Sequence, residues 1–238
     1  MTTYVLIGGA WIGAWAWRDV TDALRQKRHQ VYPLSLIGLA ERVHLATAET
    51  NLDTHIADVV NLFEYEDLQD VVLVGHSYAG AVVTGAADRA AERLKALVYC
   101  DAGPLPDGQS FLGTGSADGQ AALRSTVANQ GDGWRLPFPG FPALGEQASI
   151  SGLDDAARSR MQNKAVAHPF GTWTQPQRLT RTTPANYAQV VIVCEDGRRF
   201  LPIVQTMVPN AQIRELDTGH WPMLSKPNEL AAILDGIR

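Results

Sequence analysis

Near its middle the chain contains the sequence Val71-Val72-Leu73-Val74-Gly75-His76-Ser77-Tyr78-Ala79-Gly80. The four aliphatic residues at its start predict a buried strand, and the small residues after Ser77 indicate the beginning of a helix. Ser77 is therefore expected on the turn between them, in a pattern close to Gly-x-Ser-x-Gly, which exposes a serine hydroxyl above a sheet edge. Ala79 stands where this pattern usually has its second glycine, and Gly80 follows it. The competing interpretation is a serine that only caps a helix, so the flanking sequence has to distinguish the two.

Outside this stretch, predicted strands and helices alternate along the chain. Short apolar runs predict six strands, at residues 4–7, 30–33, 70–75, 94–101, 187–194 and 212–216. Apolar residues at helical spacing predict helices, from Trp15 onward and at 51–66, 78–91, 200–207 and 228–237. This order predicts an α/β fold with about six mostly parallel strands and flanking helices.

Residues 103–185 interrupt this alternation. They are rich in Gly, Pro and Gln, and they contain scattered aromatic residues such as Trp134, Phe138 and Trp173. A long aromatic insertion in an α/β pattern predicts a cap over a site. We therefore expect residues 1–102 and 186–238 to form the core of the fold and residues 103–185 to form the cap.

Composition restricts the class of protein. Of the 238 residues, 45% are hydrophobic and 19% are charged, so the chain can bury a sizeable core. The net charge of −5 and the absence of a basic run argue against a nucleic-acid partner. No run approaches the about 18 apolar residues that a membrane span needs. Because no secretory leader pattern is present and Cys100 and Cys194 are expected to be buried thiols, we predict a cytoplasmic protein.

A serine hydroxyl becomes an effective nucleophile only when a base lies within hydrogen-bond distance. Among the histidines, His220 is the best candidate base, because its Gly-His turn follows the last predicted strand at the sheet edge that also carries Ser77. The acid that orients the histidine is expected between these two residues in the chain. We favour Asp196, at the tip of the fifth predicted strand, and keep Asp101 and Glu195 as alternatives.

The backbone amides of Ala10 and Tyr78 are predicted to form an oxyanion hole, since each lies on a loop that directly follows a strand. A double glycine before Ala10 lets its loop pass close to the strand tips. His76 is expected to be structural, because its side chain diverges from the nucleophile. His168 lies in the predicted cap, where it could contact substrate. We assign neither a metal nor a cofactor.

These motifs together resemble the α/β-hydrolase superfamily, over nearly the whole chain. The chain is most similar to the small branch of esterases and hydroxynitrile lyases, which includes plant methyl-ester esterases such as the salicylate-binding protein. The resemblance rests on Leu6-Ile7-Gly8-Gly9-Ala10-Trp11 with Trp15-Ala16-Trp17, on Gly75-His76-Ser77-Tyr78, on Tyr99-Cys100-Asp101-Ala102 with Pro106-Asp107-Gly108-Gln109-Ser110, on Cys194-Glu195-Asp196 and on Gly219-His220.

Some positions differ from this branch. Gly8 stands where the family usually has histidine, and Ala79 replaces a glycine. Trp221 follows His220 where the hydroxynitrile lyases carry a lysine, which argues against cyanohydrin cleavage. A serine nucleophile argues against the dehalogenases and epoxide hydrolases, which use an aspartate.

The resemblance implies a serine hydrolase that cleaves a small to medium, largely apolar carboxylic ester through an acyl-enzyme intermediate. Aromatic residues of the first loop, the cap and the histidine loop are expected to contact the substrate, namely Trp11, Trp134, Phe138, Trp173 and Trp221. Two other interpretations stay open. The same triad could serve lactone or thioester hydrolysis or a tailoring or lyase reaction on a natural product, or the protein could be a non-catalytic receptor. The expected partner is the small-molecule ester, and a homodimer is left open.

Overall fold

The computed structural model describes residues 1–181 and 186–237. Its strands are β1 (Thr3–Ile7), β2 (Gln30–Leu34), β3 (Val71–His76), β4 (Leu94–Cys100), β5 (Arg135–Leu136), β6 (His168–Pro169), β7 (Ala188–Val193) and β8 (Gln212–Glu215). Its α-helices are α1 (Arg18–Gln26), α2 (Leu52–Tyr65), α3 (Ala79–Arg89), α4 (Ala117–Gln130), α5 (Gly140–Gln147), α6 (Asp155–Lys164), α7 (Gly171–Thr174), α8 (Leu201–Met207), α9 (Pro222–Ser225) and α10 (Pro227–Asp235). Short 3₁₀ helices cover Ala14–Trp17, Ala40–Leu45, Ala91–Arg93, Leu112–Thr114 and Gly197–Arg199. Within the described ranges, no helix has the length and apolar character that crossing a membrane requires.

Six strands form one sheet in the order β2-β1-β3-β4-β7-β8, and every neighbouring pair is parallel. The predicted α/β fold and its parallel sheet are confirmed. The strand order reverses beside β1, and right-handed crossovers then put α1 on one face of the sheet and α2 and α3 on the other. All six residues of β3 are buried, which explains its continuous apolar sequence.

The carboxyl ends of these parallel strands lie at one edge of the sheet. β3 ends at His76 and its neighbour β4 ends at Cys100, and these two residues are paired across the two strands. Loops that follow adjacent parallel strands emerge side by side at this edge, which is where open α/β sheets place their ligands. Residues that directly follow β3, β4 and β7 are therefore brought together although they are far apart in the chain.

Close packing at the start of α3 depends on Gly80. A methyl group on Gly80 would lie 2.4 Å from the carbonyl oxygen of Gly103, a distance that real Cβ atoms do not tolerate. Ala79, which stands where the pattern usually has glycine, is fully buried without such a conflict. The close approach to Gly103 therefore requires a glycine at position 80, one residue after the position where the pattern usually has it.

The insertion between β4 and β7 has its own small framework. β5 and β6 pair as an antiparallel two-stranded sheet, and α4, α5, α6 and α7 belong to the same insertion. The sequence indicated no strand here, because each of these strands has only two residues. The far boundary predicted for the cap, at residue 185, lies outside the described residues, and the division into core and cap stays a prediction.

We expect Gly80→Ala to lower the free energy of unfolding by about 1–3 kcal/mol, the usual cost of overpacking a well-packed site. The control is Gly145→Ala in α5, where the nearest atom to the added methyl is a side-chain carbon of Ile150 at an ordinary 3.6 Å. Chemical denaturation of both variants measures the difference. Equal stabilities of the two variants would contradict the close approach between Gly80 and Gly103.

Candidate active site

Ser77 lies on a strained turn between β3 and α3. Its φ is +53°, a left-handed conformation that residues other than glycine seldom adopt. The turn is held on both sides, because the N–H of Ser77 donates to the carbonyl of Cys100 at 3.2 Å and the N–H of Gly80 donates to the carbonyl of Ser77 at 2.9 Å. The hydroxyl of Ser77 lies 2.9 Å from Nε2 of His220. The structure therefore brings together the predicted nucleophile and base.

His220 follows β8 on a loop that is fixed through its backbone. Its N–H donates to the carbonyl of Ser149 at 2.8 Å, and the preceding Gly219 donates to the carbonyl of Ser151 at 3.1 Å. Its own carbonyl accepts a 2.7 Å hydrogen bond from Nε2 of His76, which is fully buried. Burial lowers the pKa of His76 to about 3, so its imidazole is neutral near pH 7. These contacts set the position from which the His220 ring reaches Ser77.

Asp101 is the carboxylate that contacts His220. It directly follows β4, and its Oδ2 lies 2.6 Å from Nδ1 of His220 while its Oδ1 accepts the N–H of Cys194 at 2.9 Å. The side chain is only 1% exposed. Burial by itself raises the pKa of the Asp101 carboxyl, but the hydrogen bond and charge of His220 and the N–H of Cys194 lower it by more. The pKa therefore lies below its ordinary value.

Asp196, our first choice from the sequence for the acid, does not bond to His220 in the structure. Its Oδ2 instead accepts the N–H of Ser149, and the neighbouring Glu195 accepts the hydroxyl of Ser149 at 2.6 Å. The physical reason is the strand order, since β4 lies directly between β3 and β7 and places Asp101 next to the Ser77 turn. Gly197 leaves room for the Asp101 carboxylate, because a methyl group there would lie 2.3 Å from Oδ1 of Asp101.

The loop after β1 passes directly against the Ser77 turn. A methyl group on Gly9 would lie 2.9 Å from Cβ of Ser77 and 2.9 Å from Nδ1 of His76, so only glycine allows this approach. The next residues, Ala10 and Trp11, therefore lie beside the nucleophile. Among the described residues, neither the N–H of Ala10 nor that of Tyr78 donates a hydrogen bond to another group. Both predicted oxyanion donors thus remain free to bind a ligand atom.

A cavity of about 580 Å³ opens beside the Ser77 hydroxyl. Its walls come from the segment after β4, from β7 and from α8, and they are largely apolar, with Leu105, Phe111, Val204 and Met207 as examples. Among the described residues that line it, Asp101 is the only acidic one, and no lysine or arginine is present. The cavity therefore suits an uncharged, apolar group.

The five residues expected to contact substrate do not line this cavity. Trp11 is buried, with its Nε1 donating to the carbonyl of Leu136 at 3.1 Å and its ring packed near Phe138 and Trp173. Trp134 lies under the guanidinium of its neighbour Arg135, and the Trp221 ring packs edge-on against His220 at 4.9 Å. Phe138 and Trp173 pack on Trp11 and Trp221 packs on His220, so these rings support the loops of the site instead of forming the cavity wall.

Sequence reasoning missed the contribution of α8 to the cavity. This helix has no buried residue, and its apolar side chains line the cavity or face outward at its mouth. Phe200, Ile203 and Met207 are 50%, 56% and 42% exposed. A short apolar helix is usually taken for part of the core, but a helix with apolar residues on nearly every side can also form the wall of a pocket.

One group of side chains in the described part of the chain has the donor atoms of a metal site. The ligand atoms of Asp101, Asp196 and His220 all lie within 4.8 Å of one another. The hydrogen bonds of Asp101 to His220 and of Asp196 to Ser149 account for this grouping. We therefore assign no metal to it.

Comparisons with known proteins give the family and the fold of the chain. Residues 4–233 match the alpha/beta hydrolase family. The chain is 31% identical to a carbendazim hydrolyzing esterase of Nocardioides sp. (strain SG-4G), over the full length of both chains, and 26% identical to methylesterase 9 of Arabidopsis thaliana, over 97% of this chain and 95% of that protein. An extracellular alpha/beta-hydrolase from a Paenibacillus species has the same fold, with a TM-score of 0.86, 20% identity and coverage of 100% and 99% of the two chains.

Behind the site lies a second buried histidine, His55 of α2. Its Nε2–H donates to the carbonyl of Ile37 at 2.8 Å, and its Nδ1 accepts the hydroxyl of Tyr78 at 2.9 Å. Burial lowers the pKa of His55 from 6.5 to about 4. Below pH 6.5 the unfolded chain therefore binds a proton at this residue that the folded chain does not bind, and stability falls as the pH is lowered towards 4.

We expect the wild-type free energy of unfolding to fall by about 2 kcal/mol more than that of His55→Asn between pH 6.5 and pH 4.5. The comparison uses the pH dependence of each protein, because the substitution also changes stability at every pH. Urea denaturation across this range measures it. In the control His44→Asn the lost imidazole is exposed, so the pH dependence should match that of the wild type. Parallel curves for wild type and His55→Asn would contradict the neutral, buried state of His55.

Proposed function

The chain belongs to the alpha/beta hydrolase family, and we propose that it is a serine esterase that cleaves a neutral, largely apolar carboxylic ester of small to medium size. The observation that carries this proposal is the continuous hydrogen-bonded path from Asp101 through His220 to the hydroxyl of Ser77, with distances of 2.6 Å and 2.9 Å. A nucleophile, a base and an orienting carboxylate within hydrogen-bond distance are the components that acyl transfer needs. The esterase names of the relatives support the same class of reaction.

In this mechanism the Nδ1–H of His220 donates to Asp101, so its Nε2 is free to accept the proton of Ser77. The Ser77 oxygen attacks the ester carbonyl while the proton moves to His220, and Asp101 stabilises the resulting imidazolium. His220 then gives the proton to the leaving alcohol, and the acyl group stays on Ser77. A water molecule, deprotonated by His220, attacks the acyl carbonyl and releases the acid and the free serine.

The backbone N–H groups of Ala10 and Tyr78 are proposed to bind the oxyanion that forms on the carbonyl oxygen. One lies on the loop after β1 and the other follows Ser77, which are the two places from which this fold supplies such donors. Each donor of this kind contributes about 2.7–4 kcal/mol to lowering the barrier. Their backbone origin means that side-chain substitutions at these two positions leave the donors in place.

The apolar cavity supports an uncharged acyl or alcohol group as the part of the substrate next to the scissile bond. Its described lining residues include no lysine or arginine that could bind a carboxylate or phosphate on the substrate. The acidic Asp101 is already paired with His220 and is not available to bind a cation. A substrate that places a charge in the cavity would therefore lose its hydration without compensation.

Both cysteines are buried and carry free thiols, which supports a reducing compartment such as the cytoplasm. Burial raises the pKa of the Cys100 thiol well above its ordinary value, so this thiol is inert near pH 7. We propose a small-molecule ester as the partner that matters for function.

We expect a fluorophosphonate probe to label the wild-type protein on Ser77, and Ser77→Ala to lose both the label and at least about 10³-fold in kcat/KM towards p-nitrophenyl butyrate. The control is Ser125→Ala, which removes an exposed serine of α4 and should change neither quantity. A p-nitrophenyl ester of succinate, with a free carboxylate, should react much more slowly than the butyrate. Tight binding of an apolar ester with no turnover by the wild type would contradict the esterase and favour a receptor.

The two candidate acids give opposite expectations. Asp101→Asn should lower kcat by about 10³- to 10⁴-fold. The amide favours the wrong tautomer of His220, and it lacks the negative charge that stabilises the imidazolium. Asp196→Asn should change kcat by less than about fivefold, since its side-chain oxygen only accepts the N–H of Ser149. Steady-state kinetics of both variants on the same ester measure this. A larger loss in Asp196→Asn than in Asp101→Asn would return the role of the acid to Asp196.

A further inference from the structure

His168 is a fully buried residue of β6 that the proposed mechanism leaves without a role. It comes from the insertion, where the sequence suggested a contact with substrate, but it is not among the residues that line the cavity. Its ring lies instead between the loop after β1 and the Ser77 turn. It contacts one residue from each of these segments, Trp11 and Tyr78.

The hydrogen bonds of His168 determine which of its nitrogens carries the proton. The hydroxyl of Thr172 donates to the carbonyl of Pro169 at 2.7 Å, so it can only accept from Nε2 of His168, 2.9 Å away. The proton therefore lies on Nε2, and Nδ1 is an acceptor. That acceptor receives the backbone N–H of Trp11 at 3.4 Å. Burial lowers the pKa of His168 well below its ordinary value, so that the ring stays neutral and keeps this acceptor.

Trp11 has a backbone conformation that needs such support. Its φ is +64°, in the left-handed region that a bulky residue rarely adopts. The insertion holds it at three points, since its N–H bonds to His168, its carbonyl accepts the N–H of Val166 at 3.1 Å, and its indole bonds to the carbonyl of Leu136. These bonds hold the peptide group between Ala10 and Trp11, which adjoins the peptide group that carries the Ala10 N–H.

The second oxyanion donor belongs to a residue that His168 also touches. The rings of His168 and Tyr78 pack edge to face with their centroids 4.7 Å apart. The hydroxyl end of Tyr78 is held in turn by His55. One imidazole therefore contacts Tyr78, which carries one proposed donor, and Trp11, which adjoins Ala10, the residue that carries the other.

We propose that His168 is a positioning residue that holds Trp11 and, through it, the oxyanion donor of the adjoining Ala10, and that the insertion completes the active site in this way. This rests on the proposed esterase function and adds a requirement to it. The core supplies Ala10 and Tyr78, but the acceptor that holds Trp11, the residue next to Ala10, comes from β6. Since the oxyanion exists only after attack, loss of this acceptor should affect the chemical step more than substrate binding.

The test compares three substitutions that separate the two nitrogens of the ring. His168→Asn places an amide oxygen near the Nδ1 position and can still accept the Trp11 N–H, whereas His168→Gln places its amide near Nε2 and His168→Leu removes both groups. We expect kcat to fall about 10²- to 10³-fold in His168→Leu and His168→Gln, the usual effect of losing one oxyanion donor, with KM changed by less than about threefold. His168→Asn should recover kcat to within about tenfold of the wild type.

A second measurement follows inhibitors. A trifluoromethyl ketone, which forms a tetrahedral oxyanion on Ser77, should lose affinity in parallel with kcat/KM across the three variants, while an uncleavable amide of the same shape should bind equally to all. Thermal unfolding identifies any variant that fails to fold, and if His168→Leu does so the Asn and Gln pair decides the question. His44→Asn, at an exposed position, is the control and should keep wild-type kinetics.

Equal losses in His168→Asn and His168→Gln, or a loss confined to KM, would overturn the positioning role. Failure of the proposed function gives a different result, because the wild type would then show neither labelling of Ser77 nor ester turnover. The two proposals are thus separated by the behaviour of the wild-type protein alone.

Discussion

The buried carboxylate of Asp101 is the constraint on which the rest of the site depends. A carboxylate with almost no exposure is stable only when each oxygen has a strong partner. One oxygen takes Nδ1 of His220 and the other takes the N–H of Cys194, and Gly197 has to lack a side chain to leave room. These requirements fix the end of β4 against the end of β7 and hold the histidine loop above both. The position of the base relative to Ser77 follows from them.

The insertion also contributes directly to the order of the site. Ser149 and Ser151 hold the backbone of the histidine loop, and a methyl group on Gly219 would lie 2.5 Å from the carbonyl of Ser149. On the other side, His168 and Val166 hold Trp11. A segment that looks like a simple cover in the sequence thus supports both loops that carry the reacting groups. Gly8 has no side chain with which to brace the first loop, and the insertion provides that support.

Much of this could be predicted from the sequence, because local patterns are sufficient for it. The apolar run before Gly75 and the helical spacing in α2 indicated the elements. The turns at Ser77 and His220 indicated the candidate nucleophile and the candidate base. The choice between Asp101 and Asp196 could not be made in this way. Both follow strands whose ends are adjacent, and the distance from the imidazole to each carboxylate depends on backbone contacts from Ser149 and Ser151 that no local pattern contains.

The aromatic residues gave a similar lesson. Those of the insertion led us to expect contacts with substrate, but the predicted rings do not line the cavity, and the sequence did not indicate the side on which it opens. That side is set by α8, which has no buried residue and whose apolar residues line the cavity. The helix therefore adds little to the core. Its side chains do not have to fit a closely packed interior, as those of β3 do. Substitutions in α8 can therefore change the size and shape of the cavity, and with them the substrate, at little cost to the free energy of unfolding. The capacity to evolve new specificity and the stability of the fold reside in different parts of this protein.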